Sequence, residues 1–343
     1  MSSPVVNPSR IKSLFGNQQF ILLLVLAAMV AFFTWRNPVF FSNAVFGNIL
    51  ADWSPVVLIA VGEFFVIVSG GIDLSVGSTI AISGVISAFA MRALTANHVG
   101  QNLTLLLGLL TCVGIGILVG SINALLITKA RIVPFIATLT TMGAGAGMAI
   151  VLTGGSQIAD GPAKSISLSV PDFGPLSRPG IVICFIVAIL WVIMGKSRFG
   201  RYTYAIGSNP FAARVAGINV NRHLAKIYIL SSVLAGLAGF YYYLLLSVGA
   251  PTSGQGGELQ AIAAVVIGGA ALAGGSGKLS GTVLGALILT TVTSGLIMIN
   301  VAANWKQVVV AILIAAAVII QEFRGGTSNS PGLLKRLLTR SAK

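Results

Sequence analysis

Long apolar runs, broken by short polar or glycine-rich segments, follow one another along most of the chain. A helix crossing the hydrocarbon core needs about 20 mostly apolar residues. Read at that length, the pattern predicts ten spans: 19–35, 46–69, 73–95, 103–127, 133–154, 179–195, 227–248, 259–273, 281–301 and 304–321. The first, sixth and eighth are short. No run alternates with the period of two that a barrel strand needs, and in lipid the backbone must satisfy its own hydrogen bonds, so helices remain. The expectation is an all-α integral membrane protein: a short segment over 1–18, a membrane domain over 19–321, and a basic tail over 322–343.

Three places interrupt the apolar pattern. Gly70 and Gly71 separate the second and third spans and precede Asp73, Ser75, Gly77, Ser78 and Thr79. A second break, over 267–281, carries Gly268, Gly269, Gly274 and Gly275. The third is Glu63, set inside the second span beside Phe64 and Phe65. A charge at the bilayer centre costs roughly 2.5–3.5 kcal/mol even on lenient scales, so Glu63 is expected to avoid lipid. It either faces a hydrated path or joins helices as a structural carboxyl. Asp73 either caps a helix running from Leu74 or contacts substrate. The glycine breaks either pack helices closely or unwind a helix where it lines a cavity. Their common outline (apolar helix, Gly-Gly, short polar segment, apolar helix) hints at internal repetition.

Composition supports this picture. Of 343 residues, 56% are hydrophobic and 8% charged, against about 25% charged in soluble domains. The net charge of +14 suggests nucleic acid only in a soluble protein; in a membrane protein Lys and Arg gather in cytoplasmic loops. With the N-terminus inside, ten spans leave only Arg36, Arg92, Lys164, Arg178 and Lys306 outside, and the other 16 of the 21 Lys and Arg inside. Both termini are therefore expected in the cytoplasm. The outer connection, 155–178, is rich in Gly, Ser and Pro, whereas the inner one, 196–226, is the most basic segment. Within the latter, Asn209 and Pro210 suit the start of a short helix and Gly217 its end.

Candidate chemistry is sparse. Seven acidic residues and two distant histidines, His98 and His223, form no metal-ligand spacing. Cys112 and Cys184 sit in apolar runs as expected inert thiols. The segment GGSGKLSG lacks the spacing of a phosphate-binding loop. No catalytic residue, metal or cofactor is expected.

Three ordered motifs, FFVIVSGGIDLSVGS (64–78), GRYTYAIGSNPFAARVAGINV (200–220) and LQAIAAVVIGGAALAGGSGKLSGTVLGALI (259–288), resemble the ribose/xylose/arabinose-type ABC sugar permeases over nearly the whole chain. The resemblance implies a type II-like importer fold of about ten helices in a bacterial inner membrane. It implies a second permease, identical or homologous, an ABC ATPase with two nucleotide-binding sites, and an extracytoplasmic sugar-binding protein. It also makes 207–217 the coupling helix that docks on the ATPase, through Gly207, Ser208, Asn209, Pro210, Phe211, Ala213, Arg214 and Gly217. Few intramembrane charges suit a neutral sugar, and Glu63, Asp73, Ser75, Ser78 and Thr79 are the candidates to line its path. Two positions depart from the family: Phe211 and Gln260 stand where Glu and Asp are common. The competing reading is an ion-coupled secondary transporter, with Glu63 or Asp73 as its ion site.

Overall fold

The computed structural model describes residues 18–302 and, beyond them, 305, 308–313, 315, 316 and 319; side chains of 171–173 are not described. The expected tenth span and both terminal segments lie outside these residues, apart from those few positions. Eight of the described helices are long and apolar enough to cross a membrane. They are α1 (Gln18–Arg36), α2 (Asn43–Val68), α3 (Val76–Ala96), α4 (Gln101–Thr128), α5 (Pro134–Thr153), α7 (Arg178–Lys196), α10 (Val220–Leu246) and α12 (Leu279–Met298). Shorter elements join them: α6 (Lys164–Ser169), a β1–β2 hairpin (Pro171–Phe173 and Leu176–Ser177), α8 (Arg198–Ser208), α9 (Pro210–Val215) and α11 (Gly257–Ile267).

Local signals set these boundaries. Ser42 accepts from the Val45 amide at 3.4 Å at the head of α2. Asn219 accepts from the Arg222 amide at 3.0 Å and so caps α10, satisfying one of the orphan donors of a first turn. Proline stands in the first turn of α5, α7 and α9, where its missing N–H leaves no bond unmade.

Burial separates inner from outer helices. The most apolar stretch of α2 is 89% buried, against 11% in α1 and 17% in α5. Helices α2 and α10 form the centre, with α3, α4, α11 and α12 packed around them. Outward, Leu118, Leu125, Val151 and Phe185 are exposed, the apolar cover that lipid requires. Helix α4 meets α10 through Cys112, Gly116 and Gly120, spaced four apart so that they share one face. A Cβ at Gly120 would fall 2.6 Å from the Ile229 Cα, and one at Gly116 would fall 2.9 Å from the Val233 Cα. The backbones touch because no side chain stands between them. Cys112 is buried on this face, while Cys184 is only partly so.

The eighth expected span is the other main departure. Its helix covers only Gly257–Ile267, about 16 Å of rise against a hydrocarbon core of about 30 Å. The preceding segment is irregular. Gly249 lies against Gly84, Val85 and Ala88 of α3, while Gly254 lies against Gly77 and Ile80. The chain thus travels about two turns along α3, roughly 10 Å, before helix resumes.

Candidate functional site

Two helices begin inside the bundle, side by side. After α2 ends, Gly70 turns the chain back at φ +88°, and the Asp73 amide donates to Glu63 Oε1 at 3.2 Å. Glu63 lies five residues before the end of α2, about 8 Å up its axis. Helix α3 therefore starts within the bundle, at Val76 rather than the expected Leu74. A Cβ at Gly77 would lie 3.5 Å from the Glu258 carboxyl carbon, and one at Gly257 would lie 3.8 Å from the Gly77 Cα. The first turns of α3 and α11 are in contact. Non-helical backbone at such depth is tolerated where it is buried in protein or lines a cavity. Along this re-entrant segment Thr252 and Gln255 are exposed and Glu258 is half-buried.

Beside these helix starts lies a polar clasp. Asp73 Oδ1 accepts from the Ser75 amide at 3.0 Å and from the Ser75 hydroxyl at 2.6 Å. Asp73 Oδ2 accepts from Ser231 of α10 at 2.9 Å. Asn123 of α4 donates to Ser75 Oγ at 2.8 Å and accepts from Thr141 of α5 at 2.7 Å. Thr138 of α5 donates to the Ile72 carbonyl at 3.2 Å. Four helices and the break are thus joined by one chain of hydrogen bonds, strengthened by the dry surroundings. Glu63, Asp73, Ser75 and Thr79 have no exposed surface, and Ser78 is 6% exposed. Asp73 both orders the turn before α3 and ties it to α10. Ser78 and Thr79 hydroxyls donate back to the Ser75 carbonyl at 3.0 and 2.8 Å. Glu63 Oε2 and the Tyr228 hydroxyl are buried without a hydrogen-bond partner; such groups are few in native interiors.

The two glycine breaks meet each other. Gly70 N–H donates to Ile67 O at 2.9 Å and Gly71 N–H to Val66 O at 3.0 Å. Gly269 N–H donates to Val266 O at 2.9 Å and Ala270 N–H to Val265 O at 3.1 Å, with Gly269 at φ +85°. Both helices stop in the same way, through a left-handed glycine and paired backward bonds. A Cβ at Gly274 would lie 3.0 Å from the Gly70 Cα, and the Gly275 amide donates to Val68 O at 2.9 Å. Gly207, next to last in α8, fills the remaining corner: a Cβ there would overlap the Val68 carbonyl and lie 2.6 Å from Gly275 N. Tyr204 donates to Gly277 O at 2.8 Å, and burial pushes its phenol above the usual range, so it stays a donor. Gly268, by contrast, packs against Gly281 of α12. Both breaks therefore sit at the end of the bundle that carries α8 and α9.

From this junction α9 projects. Asn209 Oδ1 accepts from the Phe211 and Ala212 amides at 3.0 and 2.9 Å, Pro210 occupies its first turn, and Gly217 ends it at φ +84°. Ala213 turns inward onto Ile206 and Val220. Phe211 and Val215, one turn apart, are 72% and 75% exposed, and Ser208, Pro210 and Arg214 are exposed beside them. Phe211 and Val215 form an exposed apolar pair held out on one face of a capped helix. The re-entrant 249–256 segment and the meeting of the two breaks escaped the sequence reading. Gly254 and Gly256, both at positive φ, were the available signal.

These features define a polytopic α-helical permease, built around re-entrant helices and bearing a short capped helix with an exposed apolar face at one end. The sequence model described as branched-chain amino acid transport system / permease component matches residues 45–318. The chain belongs to that family: it is a multi-pass inner-membrane permease component of a transport system, and not an enzyme. It is 38% identical to the ribose import permease protein of Escherichia coli over 314 residues, 90% of this chain and 94% of that one. It is 39% identical to the ribose import permease protein of Bacillus subtilis, over 88% and 89%. It is 34% identical to the D-allose transport system permease protein of Escherichia coli, over 86% and 88%. No solved structure matches.

Proposed function

We propose that this chain forms the translocation path of an ATP-driven, binding-protein-dependent importer of a monosaccharide or similar sugar, working by alternating access. The observation that carries the reading is the likeness, nearly end to end, to permeases named for ribose and D-allose import. The partners are an ABC ATPase with two nucleotide-binding sites, a second permease, identical or homologous, and an extracytoplasmic sugar-binding protein. The subunit has about ten spans in a type II-like arrangement, with both termini in the cytoplasm. The meeting of both breaks with the basic α8–α9 segment supports that topology, since the charge count puts all three inside.

In this reading Phe211, Val215 and Arg214 seat α9 on the ATPase, and the Gly70–Gly207–Gly274 junction passes its motion to the starts of α3 and α11. Ser75, Ser78, Thr79, Thr252, Gln255 and Glu258 supply hydroxyl, amide and carboxyl groups suited to a neutral polyol. Glu63 and Asp73 join the path when the clasp opens during the cycle. The direct test is affinity purification from the native host in mild detergent with identification of what co-purifies. Recovery of a nucleotide-binding ATPase, lost in a folded Phe211→Asp variant, is the expected result. A stable chain that repeatedly purifies alone and accumulates sugar in liposomes under an ion gradient would overturn it and make Glu63 and Asp73 the ion site.

A further inference from the structure

We infer that a cleft beside the docking helix binds the phosphate headgroup of an anionic phospholipid such as phosphatidylglycerol. Two cavities adjoin where α4 ends and α10 begins. One, of about 570 Å³, is lined by Ala124, Leu125, Lys129, Arg222, Ala225 and Ile229, among others. The other, of about 390 Å³, is lined by Ile127, Thr128, Arg131, Arg214 and Asn221. They share Thr128 and Asn221, and the Asn221 side chain reaches the Thr128 carbonyl at 3.5 Å. Lys129, Arg131, Arg214 and Arg222 thus converge from the α4–α5 turn, α9 and α10. No carboxylate lines either cavity.

A general excess of inside cations explains basic loops but not this convergence around a hollow with an apolar upper wall. That wall suits an acyl chain. Helix α4 has 28 residues, about 42 Å of rise, which is longer than the hydrocarbon core, so its last turn stands at headgroup level. Above Lys129, on the outer surface of α4, Leu118, Ile122 and Leu125 are 55%, 41% and 58% exposed, a bed for an acyl chain. Cations at the cleft mouth with an apolar strip leading away from it match a phospholipid better than an acidic protein segment, which has no use for the strip. Arg214 belongs to α9, so a lipid held here abuts the ATPase docking site and couples membrane composition to docking.

The inference rests on the cytoplasmic placement proposed above. The test is native mass spectrometry of the full-length chain in micelles carrying phosphatidylglycerol or phosphatidylcholine, with the Arg131→Gln/Arg222→Gln double variant. The wild type should retain phosphatidylglycerol preferentially. The double variant should retain it roughly 25-fold less, taking about a fivefold effect per juxtamembrane cation. Arg198→Gln/Arg201→Gln, equally basic but outside the cleft, should behave as wild type and so controls for folding and bulk charge. Equal retention by the two variants would overturn the inference, as would equal retention of phosphatidylcholine or full displacement by inorganic phosphate alone. So would loss of ATPase co-purification in the double variant with lipid retention unchanged, which would make the cleft a protein contact. Lipid retention in micelles does not depend on sidedness. Labelling of Ala216→Cys from outside in right-side-out vesicles would therefore bring down the orientation without touching the lipid result.

Discussion

At the residue scale, the decisive positions have small or polar side chains in places where larger or apolar ones cannot serve. Asp73 is fully buried yet accepts from Ser75 and Ser231, so its removal strands two hydroxyls and an amide in a dry interior. Asp73→Ala should destabilise the folded chain by about 2–3 kcal/mol, read as a lowered apparent melting temperature in detergent. Asp73→Asn, which keeps one acceptor oxygen, should lose less. An unchanged melting temperature for Asp73→Ala would show that the clasp is not structural. Gly207 poses a different constraint: the neighbours of a Cβ there are backbone atoms of Val68 and Gly275, which have no rotamer to move. Gly207→Ala should retain ATPase co-purification but lose most sugar uptake, because the junction is forced apart. Full uptake would exclude the junction from coupling.

At the element scale, α9 is six residues long and far too short to be stable alone. It persists because Asn209 caps its start, Gly217 terminates it, and Ala213 packs onto Ile206 and Val220. Asn209→Ala should cost about 1 kcal/mol of local stability, seen as faster amide exchange confined to residues 210–217 with the rest of the chain unchanged. Phe211→Ala removes most of an exposed knob without touching the fold, so ATPase recovery should fall while the melting temperature holds. Equal recovery would move the docking contact elsewhere. The expected short capped helix was legible because capping depends on neighbours in sequence. Its outward face was not, because which side is buried depends on α8 and α10.

At the scale of the whole molecule, the bundle is organised so that its ends differ. One end carries α8, α9 and both glycine breaks, while the re-entrant 249–256 segment approaches the start of α3 from the other direction. A motion at α9 therefore has a short, backbone-to-backbone route to the two helix starts within the bundle. Gln255→Ala and Thr252→Ala should each slow sugar uptake several-fold while ATPase assembly and expression stay at wild-type level. Transport at the wild-type rate in both would place the path elsewhere.

The sequence by itself determined the membrane class, eight of the spans to within a few residues at most ends, the short capped helix after Asn209, and the family. All of these follow from local periodicity, charge and motif, which need no knowledge of distant residues. It also singled out Glu63, Asp73 and the glycines of both breaks, because an ionisable or helix-breaking residue in an apolar run stands out in one dimension. Only the tertiary structure decided what those residues touch. Ser231 lies 158 positions from Asp73, and Gly274 meets Gly70 across the bundle. It also decided that the eighth apolar run is half loop and half helix, because hydropathy measures the cost of leaving water and is blind to whether the backbone coils. Pairing between distant segments is a property of the packed bundle, where Gly207 and Gly274 let backbones touch and the clasp pairs its buried side-chain polar atoms, leaving Glu63 Oε2 and the neighbouring Tyr228 hydroxyl without partners.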